Sequence, residues 1–312
     1  MKAVFLDADT FNDVDMTPIH DCVSELVLYP TTSPEELGPR AAGADLLITN
    51  KVNISADVMA GKRGILVVAT GLNNVDLETA QQLGVPVLNV QNYGTASVAQ
   101  HTMMLMLSLA GQLPRYQQDV AQGAWQQSPF FCLMNHPTRE LTNKRLVLVG
   151  EGTLGSAVAR LAEAFGMQVE FAARPGKAND TRPSLDSLLP TADVLSFHCP
   201  LTEHTRHLLN ADNLTRIKPD CLVVNCARGG IIDEVAALNA LQQGQLGGLA
   251  VDVLPTEPPV DGHPLLEALN TGLNLMVTPH NAWISPEARQ NIINLTATNI
   301  RQLNATDQTP SA

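Results

Sequence analysis

No stretch of this sequence reaches the roughly 18–20 uninterrupted apolar residues that a membrane-spanning helix needs, so no membrane partner is expected. Cysteine is sparse. Cys22, Cys132, Cys199, Cys221 and Cys226 are odd in number and scattered, with no C-x-x-C pair. No metal is therefore expected, and the thiols read as reduced, in a cytoplasmic protein. Cys221 and Cys226 flank one apolar strand, which is poor geometry for a shared ion. Positive charge is scarce as well: 19 Lys and Arg against 31 Asp and Glu give a formal net charge of -12. Such a surface repels phosphate backbones and argues against nucleic acid as a partner. A local basic pocket for one small anion stays compatible with it. Repeats and low-complexity tracts are missing too. The opening run Met1–Leu6 is broken by Asp7 and Asp9. It is too short for a signal-peptide core and reads as a first strand.

What is present is a globular composition, 45% hydrophobic and 16% charged. A chain of 312 residues exceeds what one core usually holds, so two domains are expected. Short β-branched runs alternate with helical stretches, the pattern of an α/β protein with parallel sheets and crossover helices. Strands are expected at Ala3–Leu6, Glu25–Leu28, Asp45–Thr49, Ile65–Ala69 and Val85–Leu88, with helices at Ser55–Ala60 and Val75–Leu83 capped by Ser55 and Asp76. From Thr95 to about Gly123 runs a long helical pattern, apolar nearly all round and so expected to be buried, with Pro114 kinking it or ending its first part. After an irregular linker through Pro129 and Pro137, a second doubly wound unit opens at Arg145–Val149. Its further strands are Gln168–Ala172, Val194–Phe197, Leu222–Asn225, Gly248–Val251 and Leu275–Thr278. A last helix from Pro286 to about Leu303 is expected to return to the first domain, and the tail after Asn304 to fray.

Gly150-Glu151-Gly152-Thr153-Leu154-Gly155 is a G-x-G-x-x-G string between a strand and a helix. The first glycine permits a tight turn, the second lets a pyrophosphate approach the backbone, and the third lets helix and strand pack closely. The helix N-terminus then offers free amides to the anion. Dinucleotide sites for NAD usually place an acid at the end of the next strand. Here Ala173 stands there and Arg174 follows. Without a carboxylate, and with a guanidinium that can pair with a 2′-phosphate, the cofactor is NAD(H) or NADP(H).

Three polar stretches follow predicted strands: Asn225–Gly230, Val251–Pro259 and Thr278–Trp283. Reduction of a 2-keto acid needs a cation for the carboxylate, an acid for the carbonyl oxygen, and a carboxylate to orient that acid and favour its charged form. Arg228, His280 and Glu257 fit these roles.

These strings, with His198-Cys199-Pro200-Leu201-Thr202, make the chain resemble the D-isomer-specific 2-hydroxyacid dehydrogenase family over essentially its whole length. The resemblance implies that Arg228 is the substrate arginine, Glu257 the orienting glutamate and His280 the general acid/base. It also implies that Asp252 holds the nicotinamide carboxamide, and that Cys199, Pro200, Cys226 and Ala227 line the cofactor. The fold implied is a dinucleotide-binding Rossmann domain, residues 101–284, inserted in a flavodoxin-like substrate domain, residues 1–100 and 285–312, usually dimeric. Ala69–Asp76, Asn92–His101 and the linker around Phe131-Cys132-Leu133 make the chain most similar to the bacterial glycerate dehydrogenases, or hydroxypyruvate reductases. In those enzymes the loop at Thr70, Gly71 and Leu72 offers amides to the substrate carboxylate, and a glycine leaves that approach open. The reading is therefore reduction of hydroxypyruvate to D-glycerate and of glyoxylate to glycolate. The alternatives are another enzyme of the family (lactate, phosphoglycerate, formate or phosphite type) or a dinucleotide-sensing binding protein of this fold. Three departures stand out. Ala173 replaces the common aspartate, Gln100 a common glutamate, and Trp283 a small residue; Trp283 either narrows the substrate pocket or packs at a domain junction.

Overall fold

The computed structural model describes residues 1–306. The chain begins with β1 Lys2–Phe5, α1 Thr17–His20, β2 Glu25–Leu28, α2 Pro34–Ala41, β3 Leu46–Thr49, α3 Ala56–Met59, β4 Gly64–Val67, α4 Leu77–Gln82 and β5 Val87–Asn89. It continues with α5 Thr95–Ala110, α6 Leu113–Ala121, β6 Arg145–Val149, α7 Thr153–Ala164, β7 Gln168–Phe171, α8 Leu185–Leu188, β8 Val194–Phe197 and α9 Ala211–Leu214. Then come β9 Leu222–Asn225, α10 Glu234–Gln242, β10 Gly248–Val251, α11 Pro264–Glu267, β11 Leu275–Val277 and α12 Pro286–Thr306. Contacts divide it into Met1–Gly94 with the chain from Ile284, and Thr95–Trp283. The first boundary lies ahead of the expected one because α5 is unbroken from Thr95 and packs as a whole on α7 and on β9, β10 and β11.

The first unit is a parallel sheet ordered β2-β1-β3-β4-β5, the flavodoxin-like order. Its central strands read Leu-Leu-Ile-Thr and Gly-Ile-Leu-Val and are buried throughout, as strands covered on both faces are. The last helix belongs here: α12 packs on α1 and over β4 and β5, burying Ile292, Ile293, Ala297 and Ile300. Arg289 pairs with Asp13 at its start. Asp76 caps α4 by accepting from the Thr79 amide at 3.0 Å, whereas Ser55 makes no side-chain cap bond to α3.

The second unit is a parallel sheet ordered β7-β6-β8-β9-β10-β11. Alternation along β6 serves two cores. Val147 and Val149 face the cluster under α8 to α11, while Leu146 and Leu148 face the one under α5 and α7. The order reverses at β6, whose neighbours are β7 on one side and β8 on the other. The crevice beyond the β6 and β8 ends is thus the switch point where such sheets bind ligands.

The long helical pattern after Thr95 is two helices. Pro114 has no N–H for the carbonyl of Ala110, so α5 ends there. The Arg139 amide takes that carbonyl at 3.0 Å, and Gln112 turns left-handed at φ 55. The expected burial of α5 on every side does not hold: Met103, Leu105, Met106 and Leu109 are buried, but Met104 and Leu107 are exposed. Among the described residues no helix is long and apolar enough to cross a membrane. Fraying was expected after Asn304, but α12 continues to Thr306; the rest of that tail lies outside the described residues.

Candidate active site

The three glycines after β6 have three distinct surroundings. Gly150 sits at φ 112, and a Cβ on it would stand 2.6 Å from the His198 carbonyl oxygen at the end of β8. A Cβ on Gly155 would overlap the Gly150 carbonyl oxygen, so this glycine seals helix α7 against its strand. Gly152 is the N-cap of α7 and has nothing within 4 Å of its Cβ position. It leaves the amides of Thr153, Leu154 and Gly155 without a capping side chain, as a pyrophosphate cradle requires. A cavity of about 630 Å³ opens on this turn and gathers Gly150, Gly152, Arg174, Cys199 and Pro200 from the expected cofactor set. Cys226, Ala227 and Asp252 are not among its wall residues. A volume of this size and a glycine cradle at the switch point fit a dinucleotide.

Sequence reasoning missed Lys177, Arg182 and His204 in the same wall. They come from loops with no periodicity to read. Arg182 pairs with Glu151 at 2.5 Å and with Asp180, which also accepts from the Arg174 amide at 2.8 Å. The Arg182 guanidinium and these amides hold the Asp180 carboxyl far below its usual range. Burial pushes the Cys199 thiol up to about 11 and the Cys226 thiol up to about 12. Both are protonated at neutral pH and neither is a ready nucleophile. His198 meets Ser196 Oγ at 2.9 Å through Nε2, while its Nδ1 is buried without a hydrogen-bond partner. Burial lowers its pKa to about 4, so the ring is neutral.

The catalytic candidates come from the ends of three adjacent strands. After β9, Asn225 pins the turn by donating to the Arg228 carbonyl at 2.8 Å and accepting from the Ala227 amide at 3.0 Å. Arg228 itself is half-buried and donates to the Ala227 carbonyl at 2.7 Å. A Cβ on Gly229 would overlap the Leu254 carbonyl, so the arginine turn is pressed against the loop after β10. In that loop Glu257 accepts from the Leu254 amide at 2.8 Å with one oxygen. Its other oxygen meets His280 Nδ1, from the loop after β11, at 2.5 Å. A carboxylate only accepts, so Nδ1 carries a proton and Nε2 is left to exchange one with a substrate. Both side chains are about one-third exposed. Asp252, at the end of β10, is 1% exposed. Burial raises its pKa, but hydrogen bonds from His101, Thr278 and the Ala282 amide outweigh this and hold the carboxyl below its ordinary value.

Residues 103–282 match the model of the D-isomer specific 2-hydroxyacid dehydrogenase, NAD binding domain. The chain belongs to this 2-hydroxyacid dehydrogenase family. It is 36% identical over 293 residues to the glycerate dehydrogenase of Methylorubrum extorquens, covering 93% of this chain and 91% of that one. It is 33% identical over 315 residues to the hydroxypyruvate reductase of Blautia hydrogenotrophica, covering 97% and 96%. The crystal structure of the TT0316 protein from Thermus thermophilus matches it with a TM-score of 0.79 at 30% identity, covering 100% of this chain and 99% of that one. The chain is thus an NAD-binding oxidoreductase of the 2-hydroxyacid dehydrogenase family, and Thr95–Trp283 holds its dinucleotide-binding domain. Thr70, Gly71 and Leu72 lie in the first unit beyond β4, where the Thr70 carbonyl accepts from Asn89 at 2.6 Å and Leu72 packs on that unit's core. Among the described residues no group of three His, Cys, Asp or Glu side chains is placed to hold a metal ion.

Proposed function

We propose that this enzyme reduces hydroxypyruvate to D-glycerate and, as a second substrate, glyoxylate to glycolate. The observation that carries the chemistry is the 2.5 Å contact of His280 Nδ1 with Glu257 at the carboxyl edge of the sheet that bears the glycine cradle. The substrate choice is supported by relatives named glycerate dehydrogenase and hydroxypyruvate reductase. A nicotinamide bound there would supply the hydride for the keto carbon. Arg228 binds the substrate carboxylate with its two-pronged guanidinium. His280, held by Glu257, gives its Nε2 proton to the carbonyl oxygen, so that the oxygen becomes a hydroxyl group as the carbon gains its hydrogen. Within the first unit, Thr70, Gly71 and Leu72 form the proposed substrate-binding loop, which makes that unit the substrate domain. Cys199, Pro200, Cys226 and Ala227 line the cofactor, and Asp252 serves its carboxamide. Ala173 in place of a carboxylate, with Arg174 beside it in the cavity wall, supports acceptance of NADPH beside NADH.

The same reading makes the enzyme a homodimer, supported by exposed apolar groups on the second unit. Met104 and Leu107 of α5 and Leu161 and Phe165 beside them share a face, and Phe131 and Met134 of the linker are 91% and 86% exposed. Five free cysteines support a cytoplasmic setting. The test is kinetic. Purified protein oxidises NADH or NADPH on addition of hydroxypyruvate, with lower efficiency on pyruvate. His280→Ala loses turnover and keeps dinucleotide binding. Inertness toward every small 2-keto acid with both cofactors overturns the reading.

A further inference from the structure

His280 stands at φ 51, in the left-handed region that an L-residue leaves unless neighbouring bonds hold it there. Three such bonds end on Asp252. Its carbonyl accepts the His280 amide at 2.8 Å, and its carboxylate accepts the amides of Asn281 at 3.0 Å and Ala282 at 3.1 Å. The backbone of the catalytic histidine is therefore shaped around one buried carboxylate. Such a group keeps its place only while donors surround it. Thr278 gives its single hydroxyl proton to Asp252 at 2.5 Å, so its oxygen can only accept from His101 Nε2, which lies at 3.0 Å. The same Nε2 is 3.3 Å from the Asp252 carboxylate. His101 thus carries a proton on Nε2 in either charge state and shares it between the two oxygens. Four residues earlier on α5, Ser97 donates to the Ala282 carbonyl at 2.6 Å, so the helix grips the same loop twice.

We propose that His101 is a positioning residue for His280: by donating from Nε2 to Thr278 and Asp252, it keeps the Thr278–Ala282 loop in its left-handed turn. His101 touches no reacting atom in this scheme. Its catalytic consequence rests on the reading of His280 as the general acid; its structural consequence does not.

The experiment compares His101→Ala, His101→Gln and His101→Asn in the full-length protein. A glutamine amide reaches the place of ring Nε2 and restores the donor, whereas an asparagine amide reaches only that of Nδ1. Hydrogen exchange is followed in peptides covering 278–283 and, as a reference, β6 and α7. Turnover of hydroxypyruvate and NADH affinity are measured alongside. In the alanine and asparagine variants the 278–283 amides exchange about tenfold faster or more, and kcat falls about tenfold or more, a loss of roughly 1.4 kcal/mol. NADH affinity and reference exchange stay within about threefold, or roughly 0.6 kcal/mol. Glutamine restores both signals. Equal behaviour of the three variants, or exchange that rises equally in β6 and α7, overturns the proposal. Should alanine fail to fold, the glutamine–asparagine comparison decides alone. If His280→Ala keeps its turnover, the general-acid reading falls, while the exchange data still decide what His101 does.

Discussion

Glu257 spends one carboxylate oxygen on the Leu254 amide and the other on His280 Nδ1. Glu257→Gln keeps the shape but loses the charge and one acceptor. It is expected to lower kcat by about 10- to 100-fold, with a smaller change in KM for hydroxypyruvate; steady-state kinetics at saturating cofactor measure the split. His198 makes a prediction about acid. Its pKa falls from 6.5 to about 4 in the folded chain. The unfolded chain therefore takes up this proton near pH 6.5 and the folded one only near pH 4. Stability from this group is intact above pH 6.5 and is lost as pH falls toward 4, by up to about 3 kcal/mol. His198→Gln is expected to flatten that part of the pH profile in denaturant titrations at pH 7.5 and 5. An unchanged slope would show that another group drives the acid loss.

The glycine loop and helix α7 behave as one element, and two substitutions separate its tasks. Gly155→Ala forces a Cβ onto the Gly150 carbonyl. It should lower the melting temperature through a backbone shift costing about 1–3 kcal/mol or more. Gly152→Ala meets nothing within 4 Å. It should leave the melting temperature alone and weaken dinucleotide binding about tenfold or more, as read by NADH fluorescence. Elements also differ in how far the sequence announces them. Val194–Phe197, Leu222–Asn225 and Gly248–Val251 were legible because strands covered on both faces read as unbroken apolar runs. Helix α2 was not, since Pro39 stands inside it and masks the helical period. Of the candidate site, the glycine string and the residues after β9, β10 and β11 were legible because ligand sites in such sheets lie beyond strand ends. The role proposed for His101 was not. It lies within a helix whose apolar surface signals packing, and its partners Thr278 and Asp252 are distant in sequence.

For the whole molecule, the sequence-level charge of -12 and the exposed apolar face of the second unit pull in opposite directions. Repulsion opposes self-association, and burial of that face favours it. The proposed homodimer is therefore expected to be driven by apolar area. Phe131→Asp and Met104→Asp together should yield a monomer in light scattering at any salt concentration, while the unmodified chain stays dimeric when salt is raised. A monomeric unmodified chain at micromolar concentration would remove the dimer from this account. The buried thiols have a separate consequence for the enzyme in its surroundings. Oxidants and alkylating agents attack thiolates, and Cys199 in the cavity wall and Cys226 at the end of β9 are held as thiols. Peroxide therefore has little purchase on either sulfur, and preincubation with it is expected to leave the rate of NADH oxidation unchanged.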